Sequence, residues 1–223
     1  MLTEDFIGRI AIVFVLTILV VLSAAPLVFY FQQGTTVSSL AVVTKVASTF
    51  LLFLQIVMTI GRLPPKGTAR GLEPRVTSVT GSFVVVAAMF LTSALDSEVA
   101  QLMALFLIFV GTAGSIFCLY WLGRSFSVMA TARRLVTTGP YSMVRHPLYG
   151  CEAVFVVGMI ISHFSALMLA LGGLQFLLQY RRAKIEEAIL RETFPEYDEY
   201  ARRVPMLVPR FFSAPQRRHP KIN

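Results

Sequence analysis

From Ile10 to Phe31 the chain runs for 22 residues without a charged side chain. A helix of about 20 apolar residues spans the hydrocarbon core of a bilayer. In hydrocarbon, backbone N–H and C=O groups find partners only within a helix or a closed barrel. This run is too long for the apolar core of a signal peptide, and Glu4 and Asp5 spoil the basic stretch that would precede one, so a retained first span is expected. The rest of the chain agrees: 56% of it is hydrophobic and 14% charged, with a mean hydropathy of +0.70, against about 25% charged residues in soluble domains. The expected fold is an all-α, polytopic integral membrane protein.

Six apolar segments are expected, at about 8–31, 38–61, 76–95, 99–122 and a final stretch from Cys151 to Tyr180 read as a tight hairpin of two spans. Ser162-His163 and Gly172-Gly173 interrupt that stretch, and the turn is placed near 162–165. Charge supports the count. The segment 62–75 carries Arg62, Lys66, Arg70 and Arg75, the segment 123–147 carries Arg124, Arg133, Arg134 and Arg145, and ten more basic residues follow from Arg181. With six spans these 18 of 20 basic residues share one side, which the positive-inside rule makes cytoplasmic. The expected setting is a bacterial inner membrane with both termini and the site on the cytoplasmic side. The net charge of +8 therefore points to membrane topology and anionic lipid, not to nucleic acid.

Beyond the last span the helical pattern continues through a charged stretch from Gln179 to Glu192, with Ile185, Ile189 and Leu190 at helical spacing. Pro195 ends it at Phe194 and can open a short second helix, in which Tyr197, Tyr200, Ala201 and Val204 share one side. Cys118 and Cys151 read as core thiols, with no disulfide expected. No G-x-G-x-x-G follows a strand pattern, no G-x-S-x-G elbow is present, and no His, Cys or carboxylate spacing completes a metal site.

Two polar clusters stand out. Arg145-His146-Pro147-Leu148-Tyr149 lies at the start of the fifth span, where Pro147 fixes φ and pushes His146 toward an extended conformation. Its plain reading is an interfacial Arg/Tyr anchor; its functional reading is a rigid site wall. Arg182 and Glu186 share a helix face at i,i+4, either as a surface ion pair or as part of a site. Glu187 with Arg191 fits a surface ion pair. Tyr197 and Tyr200 read as an interfacial belt or as walls for a flat ligand. Glu152 either snorkels, pairs with a basic residue or sits in a polar cavity. His163 is assigned no role.

In order along the chain, Leu122-Gly123-Arg124-Ser125-Phe126-Ser127, Leu135-Val136-Thr137-Thr138-Gly139-Pro140-Tyr141, Arg145-His146-Pro147-Leu148-Tyr149, Arg182 with Glu186-Glu187, and Tyr197-x-x-Tyr200 before Arg203-Val204-Pro205 and Pro209 resemble the isoprenylcysteine carboxyl methyltransferase family and its bacterial relatives. The resemblance covers about 111–212. It divides the chain into N-terminal helices (1–110), a methyltransferase-like region (111–212) and a basic tail (213–223). One departure is Gly150, which comes one place earlier than the family's glycine and is followed by Cys151 and Glu152.

The resemblance implies S-adenosylmethionine as methyl donor, held by Arg134, Leu135, Val136, Tyr141, His146, Pro147, Leu148 and Tyr149, with Glu186 accepting from its ammonium group. It implies that Arg182 faces the acceptor, a lipidic or small molecule bearing a carboxylate, thiol or amine, most simply a carboxylate. A carboxylate is already ionised and needs holding rather than deprotonating, which an arginine does with paired hydrogen bonds. Two other readings stay open: a reductase using NADPH on sterols, and a small transporter or lipid-binding membrane protein.

Overall fold

The computed structural model describes residues 2–33, 39–69 and 71–209; the basic tail from 213 lies outside them. Seven helices follow in order: α1 (Leu2–Gln33), α2 (Ser39–Gly61), α3 (Leu72–Leu91), α4 (Glu98–Leu122), α5 (Pro147–Ser162), α6 (Ala166–Thr193) and α7 (Tyr197–Arg203). Segments of α1, α2 and α4 (Gly8–Ala25, Ser39–Gly61 and, continuing past α4, Glu98–Ser125) are long and apolar enough to cross a membrane. Large apolar side chains such as Phe6, Phe14, Val21, Phe53 and Phe106 point outward, as a lipid-facing surface requires and a water-facing one avoids.

Local signals set the helix ends. Ser97 caps α4 by accepting from the Ala100 N–H, and Ser165 caps α6 by accepting from Met168. Pro147 sits in the first turn of α5, where its missing N–H costs nothing. α6 stops at Thr193, with Phe194 extended before Pro195. α3 lies four residues earlier than its apolar run suggests, because Thr92 is extended and Leu95 N–H bonds to the Ser162 carbonyl. Gln101 donates to both Leu95 and Ser162 carbonyls and accepts from the Ser162 hydroxyl, tying the α3–α4 linker to the end of α5.

At the other end of the bundle the basic loops are stitched together. Two short strands, β1 (Gly67–Thr68) and β2 (Thr131–Ala132), pair antiparallel; this ladder is the departure from an all-helical chain among the described residues. Leu63 N–H donates to the Arg124 carbonyl, the Arg124 Nε to the Gly61 carbonyl, and Arg133 to the Leu63 carbonyl.

The tightest helix pair is α4 against α5, where small residues let the backbones approach. A Cβ on Gly111 would lie 2.6 Å from the Phe155 nitrogen and 2.8 Å from the Cys151 oxygen. Gly114 faces the Cys151 sulfur, while Gly150 has open space around it. The early glycine therefore leaves packing intact, since α4 supplies the room that Cys151 occupies. The Cys118 and Cys151 thiols face each other at 3.9 Å and are free. Gly111→Ala is expected to cost about 1–3 kcal/mol through overpacking, read as a lower melting temperature in detergent; an unchanged melting temperature would contradict this packing.

Candidate active site

The segment between α4 and α5 is built around Gly139. Its φ is +60°, and a side chain there would enter the Trp121 ring; glycine alone adopts this conformation freely. Pro140 then begins a short 3-10 turn, Gly139–Ser142, that buries Tyr141. The Tyr200 hydroxyl donates to the Tyr141 carbonyl at 2.6 Å, which fastens α7 to this turn. Burial pushes the Tyr200 hydroxyl up to about 12 and the Tyr141 and Tyr197 hydroxyls higher still, so all three stay neutral.

Arg145 ties three distant segments together. Its Nε donates to Glu187 at 2.7 Å, and its Nη1 donates to the Ala201 and Val204 carbonyls at 2.8 and 2.7 Å. The backbone N–H groups of Arg145 and His146 donate to the Pro205 and Met206 carbonyls. Glu187 is thus no surface residue. Its side chain is 2% exposed and lies 3.4 Å from His146 Nε2, whereas Arg191 reaches it at 3.6 Å only from the periphery. The i,i+4 spacing to Arg191 concealed a buried partner 42 residues away.

Burial opposes the charged form of Glu187, but the His146 ring nitrogen 3.4 Å away and the hydrogen bond and charge of Arg145 overcome it and hold its pKa at about 2, below the ordinary 4.5. A carboxylate with a depressed folded-state pKa stabilises the fold above its unfolded pKa and loses that contribution as pH falls. The docking of α7 should therefore be constant above about pH 5 and weaken as pH falls from 4.5 toward 2. The near-UV circular dichroism of the buried tyrosines should fade over this window; a signal flat down to pH 2 would contradict the role of Glu187.

One residue earlier along α6, Glu186 turns the other way. It accepts from the Tyr149 hydroxyl, and its second oxygen is 4.0 Å from His146 Nδ1. The His146 and Tyr149 rings stack at 5.5 Å and 17°. His146 avoids the α region, as its proline neighbour demands, but with ψ +60° it is not extended; its carbonyl already accepts from Gly150 at 3.3 Å. Arg182 lies one turn deeper along α6. Its guanidinium sits over the Tyr149 ring at 5.3 Å and donates to the Val128 carbonyl, and its Nε is buried without a partner.

These groups surround a cavity of about 520 Å³, within the range of ligand sites. Arg134, Leu135, Val136, Tyr141, His146, Leu148, Tyr149, Arg182 and Glu186 all line it. Pro147 does not; it is buried at the start of α5 and aims the helix. Tyr197 and Tyr200 also line it. Sequence reasoning missed several members of the wall. Ser125 and Ser127 line it with buried hydroxyls that have no protein partner. Gln175 and Gln179 continue the α6 stripe at the spacing of Arg182 and Glu186, a signal visible in the sequence as amides inside an apolar run. Residues of α1, α2 and α3, including Ile12, Leu16, Leu52 and Val85, form an apolar arm.

The sequence profile of the phospholipid methyltransferase family matches residues 99–197, from the first turn of α4 to the first residue of α7. The nickel-cobalt-cadmium resistance protein NccN of Alcaligenes xylosoxydans xylosoxydans is 43% identical over 103 residues, covering 45% of this chain and 46% of that protein. The cobalt-zinc-cadmium resistance protein CzcN of Cupriavidus metallidurans is 34% identical over 159 residues, covering 66% of this chain and 71% of that protein. Protein-S-isoprenylcysteine O-methyltransferase B of Arabidopsis thaliana is 38% identical over 96 residues, covering 39% of this chain and 48% of that protein. The chain thus spans about half the length of two of these relatives and more than two thirds of CzcN. The matched stretch contains the Arg145–Glu187 tie, both polar clusters and most of the cavity wall, and the chain belongs to the isoprenylcysteine carboxyl methyltransferase-like family of membrane methyltransferases.

Proposed function

We propose that the protein transfers a methyl group from S-adenosylmethionine to a lipidic or small-molecule acceptor, most simply onto a carboxylate. The observation that carries this reading is the convergence of His146, Tyr149, Arg182 and Glu186 on one cavity with a polar end and an apolar arm. The wall fits the cofactor. Glu186 offers a carboxylate for its ammonium group, Tyr141, Tyr149 and Tyr197 offer flat surfaces for adenine, and the partnerless hydroxyls of Ser125 and Ser127 offer hydrogen bonds. Arg134, Leu135, Val136, His146 and Leu148 complete this end. When bound, the cofactor supplies an electrophilic methyl group on a sulfonium.

The protein's own contribution is positioning. Arg182 holds the acceptor carboxylate, the stacked His146–Tyr149 pair keeps Glu186 oriented, and the apolar arm excludes water and takes the acceptor's tail. No general base is needed for an ionised carboxylate. Residues 111–212 carry the chemistry, and α1 to α3 form the acceptor-facing wall.

In this reading α5 and α6 form a spanning hairpin and α3 also crosses, giving six spans in a bacterial inner membrane. The basic loops, both ends of the described chain and the cavity mouth then lie in the cytoplasm. Two relatives are named for metal resistance, and we place the reaction in the same physiological setting.

Arg182→Ala tests the assignment. Truncating one partner of a buried charge pair costs about 2–5 kcal/mol. Transfer of labelled methyl to extracted membrane lipids should therefore fall about 30-fold or more, with cofactor affinity unchanged within about twofold. Equal loss of both would overturn the clamp.

A further inference from the structure

Below Arg182, toward the apolar arm, the cavity wall changes character. Gln179 Nε2 donates to Glu152 Oε2 at 3.0 Å. Gln175 Nε2 donates to the Gly81 carbonyl at 2.6 Å. Each amide thus spends a donor on the protein. The Gly81 carbonyl also decides which way the Gln175 amide faces, and its Oε1 is left buried without a partner. One N–H of each amide is so used, and the Glu152 carboxylate and the Gln175 Oε1 are left as acceptors on residues that line the cavity. Thr112 lines the same cavity with a partnerless hydroxyl, which serves either way. Even with the Gln179 amide and the Arg182 charge beside it, a carboxylate at membrane depth is costly unless further donors meet its remaining lone pairs.

We propose that Glu152 and Gln175 form a subsite that recognises a hydrogen-bond donor, an N–H or a hydroxyl, within the chain of an amphipathic carboxylic acid acceptor. The helical rise of 1.5 Å per residue sets the distance. Gln179, which holds Glu152, precedes Arg182 by three residues, and Gln175 precedes it by seven. The donor therefore lies about 5 to 10 Å from the carboxylate that Arg182 holds. A plain fatty acid would leave both acceptors unmatched. The inference rests on the acceptor arm of the proposed function.

The test uses N-decanoyl-4-aminobutyrate, whose amide N–H lies about 5 Å from its carboxylate, and its ester analogue 4-(decanoyloxy)butyrate, in which an oxygen replaces that N–H. Binding of each to the full chain in nanodiscs is measured by displacement of a fluorescent fatty acid, with S-adenosylmethionine binding measured on the same samples. A hydrogen bond to a charged group makes the N–H compound about tenfold tighter or more in the wild type. The preference should shrink to about twofold or less in Glu152→Leu and fall in Gln175→Met, which guards against a misfolded first variant. No preference in the wild type, an undiminished preference in both variants, or failure of both compounds to bind would overturn the subsite. Cofactor binding that persists in that case leaves the methyltransferase reading standing; its absence in the wild type would overturn that reading instead.

Discussion

Replacing Arg145 with alanine is expected to unseat α7 and the segment through Met206. Three side-chain bonds disappear at once: one to Glu187 and two to the Ala201 and Val204 carbonyls. The loss leaves the Glu187 carboxylate buried, with the more distant His146 and a peripheral Arg191 as its remaining partners. Removing one member of a buried pair costs about 3–5 kcal/mol, mainly from the uncompensated charge left behind. The effect should be local as well as global, because Tyr197 and Tyr200 pack against Ala130, Ala132 and Ile189. Protease cleavage between residues 193 and 209 should therefore rise sharply in Arg145→Ala. Arg145→Lys should rescue little, since one ammonium cannot reproduce the three-way geometry. Wild-type protease resistance in Arg145→Ala would show that this tie is incidental.

The second large effect is expected at Glu186. Its neighbour Glu187 is consumed by structure, whereas Glu186 is partly exposed in the cavity and partnered by Tyr149. Glu186→Ala should lower S-adenosylmethionine affinity by about 100-fold, the scale of removing a charge-assisted hydrogen bond from a desolvated site. It should leave the melting temperature nearly unchanged, while Glu187→Ala should do the reverse. A variant pair with the opposite pattern would exchange the two roles. Adjacent carboxylates on one helix point about 100° apart, which is why one turn of α6 faces both the Arg145 tie and the cavity.

Much of this was legible in the chain. Ser97, Ser165, Pro147 and the Phe194-Pro195 step announce helix ends by chemistry that acts over three or four residues. The two polar clusters were visible because charged residues are scarce in such a composition. The partners of Arg145 were not, because they lie 42 to 59 residues away and carbonyls carry no sequence signature. Glu187 was misread because Arg191 supplies a sufficient local explanation. The share of α1 to α3 in the cavity was invisible for another reason: an apolar side chain facing lipid and one facing a substrate tail have the same chemistry. Glu152 could be narrowed to three fates by sequence, and the structure selects the polar cavity, with Gln179 as its partner.

Titration calorimetry on the purified protein in lipid nanodiscs tests the central claim most directly. S-adenosylmethionine and its demethylated product should each bind at one site with micromolar affinity, and NADPH should give no heat beyond dilution. Binding of NADPH, or silence from all three ligands in a folded sample, would contradict a methyl-donor site in this cavity.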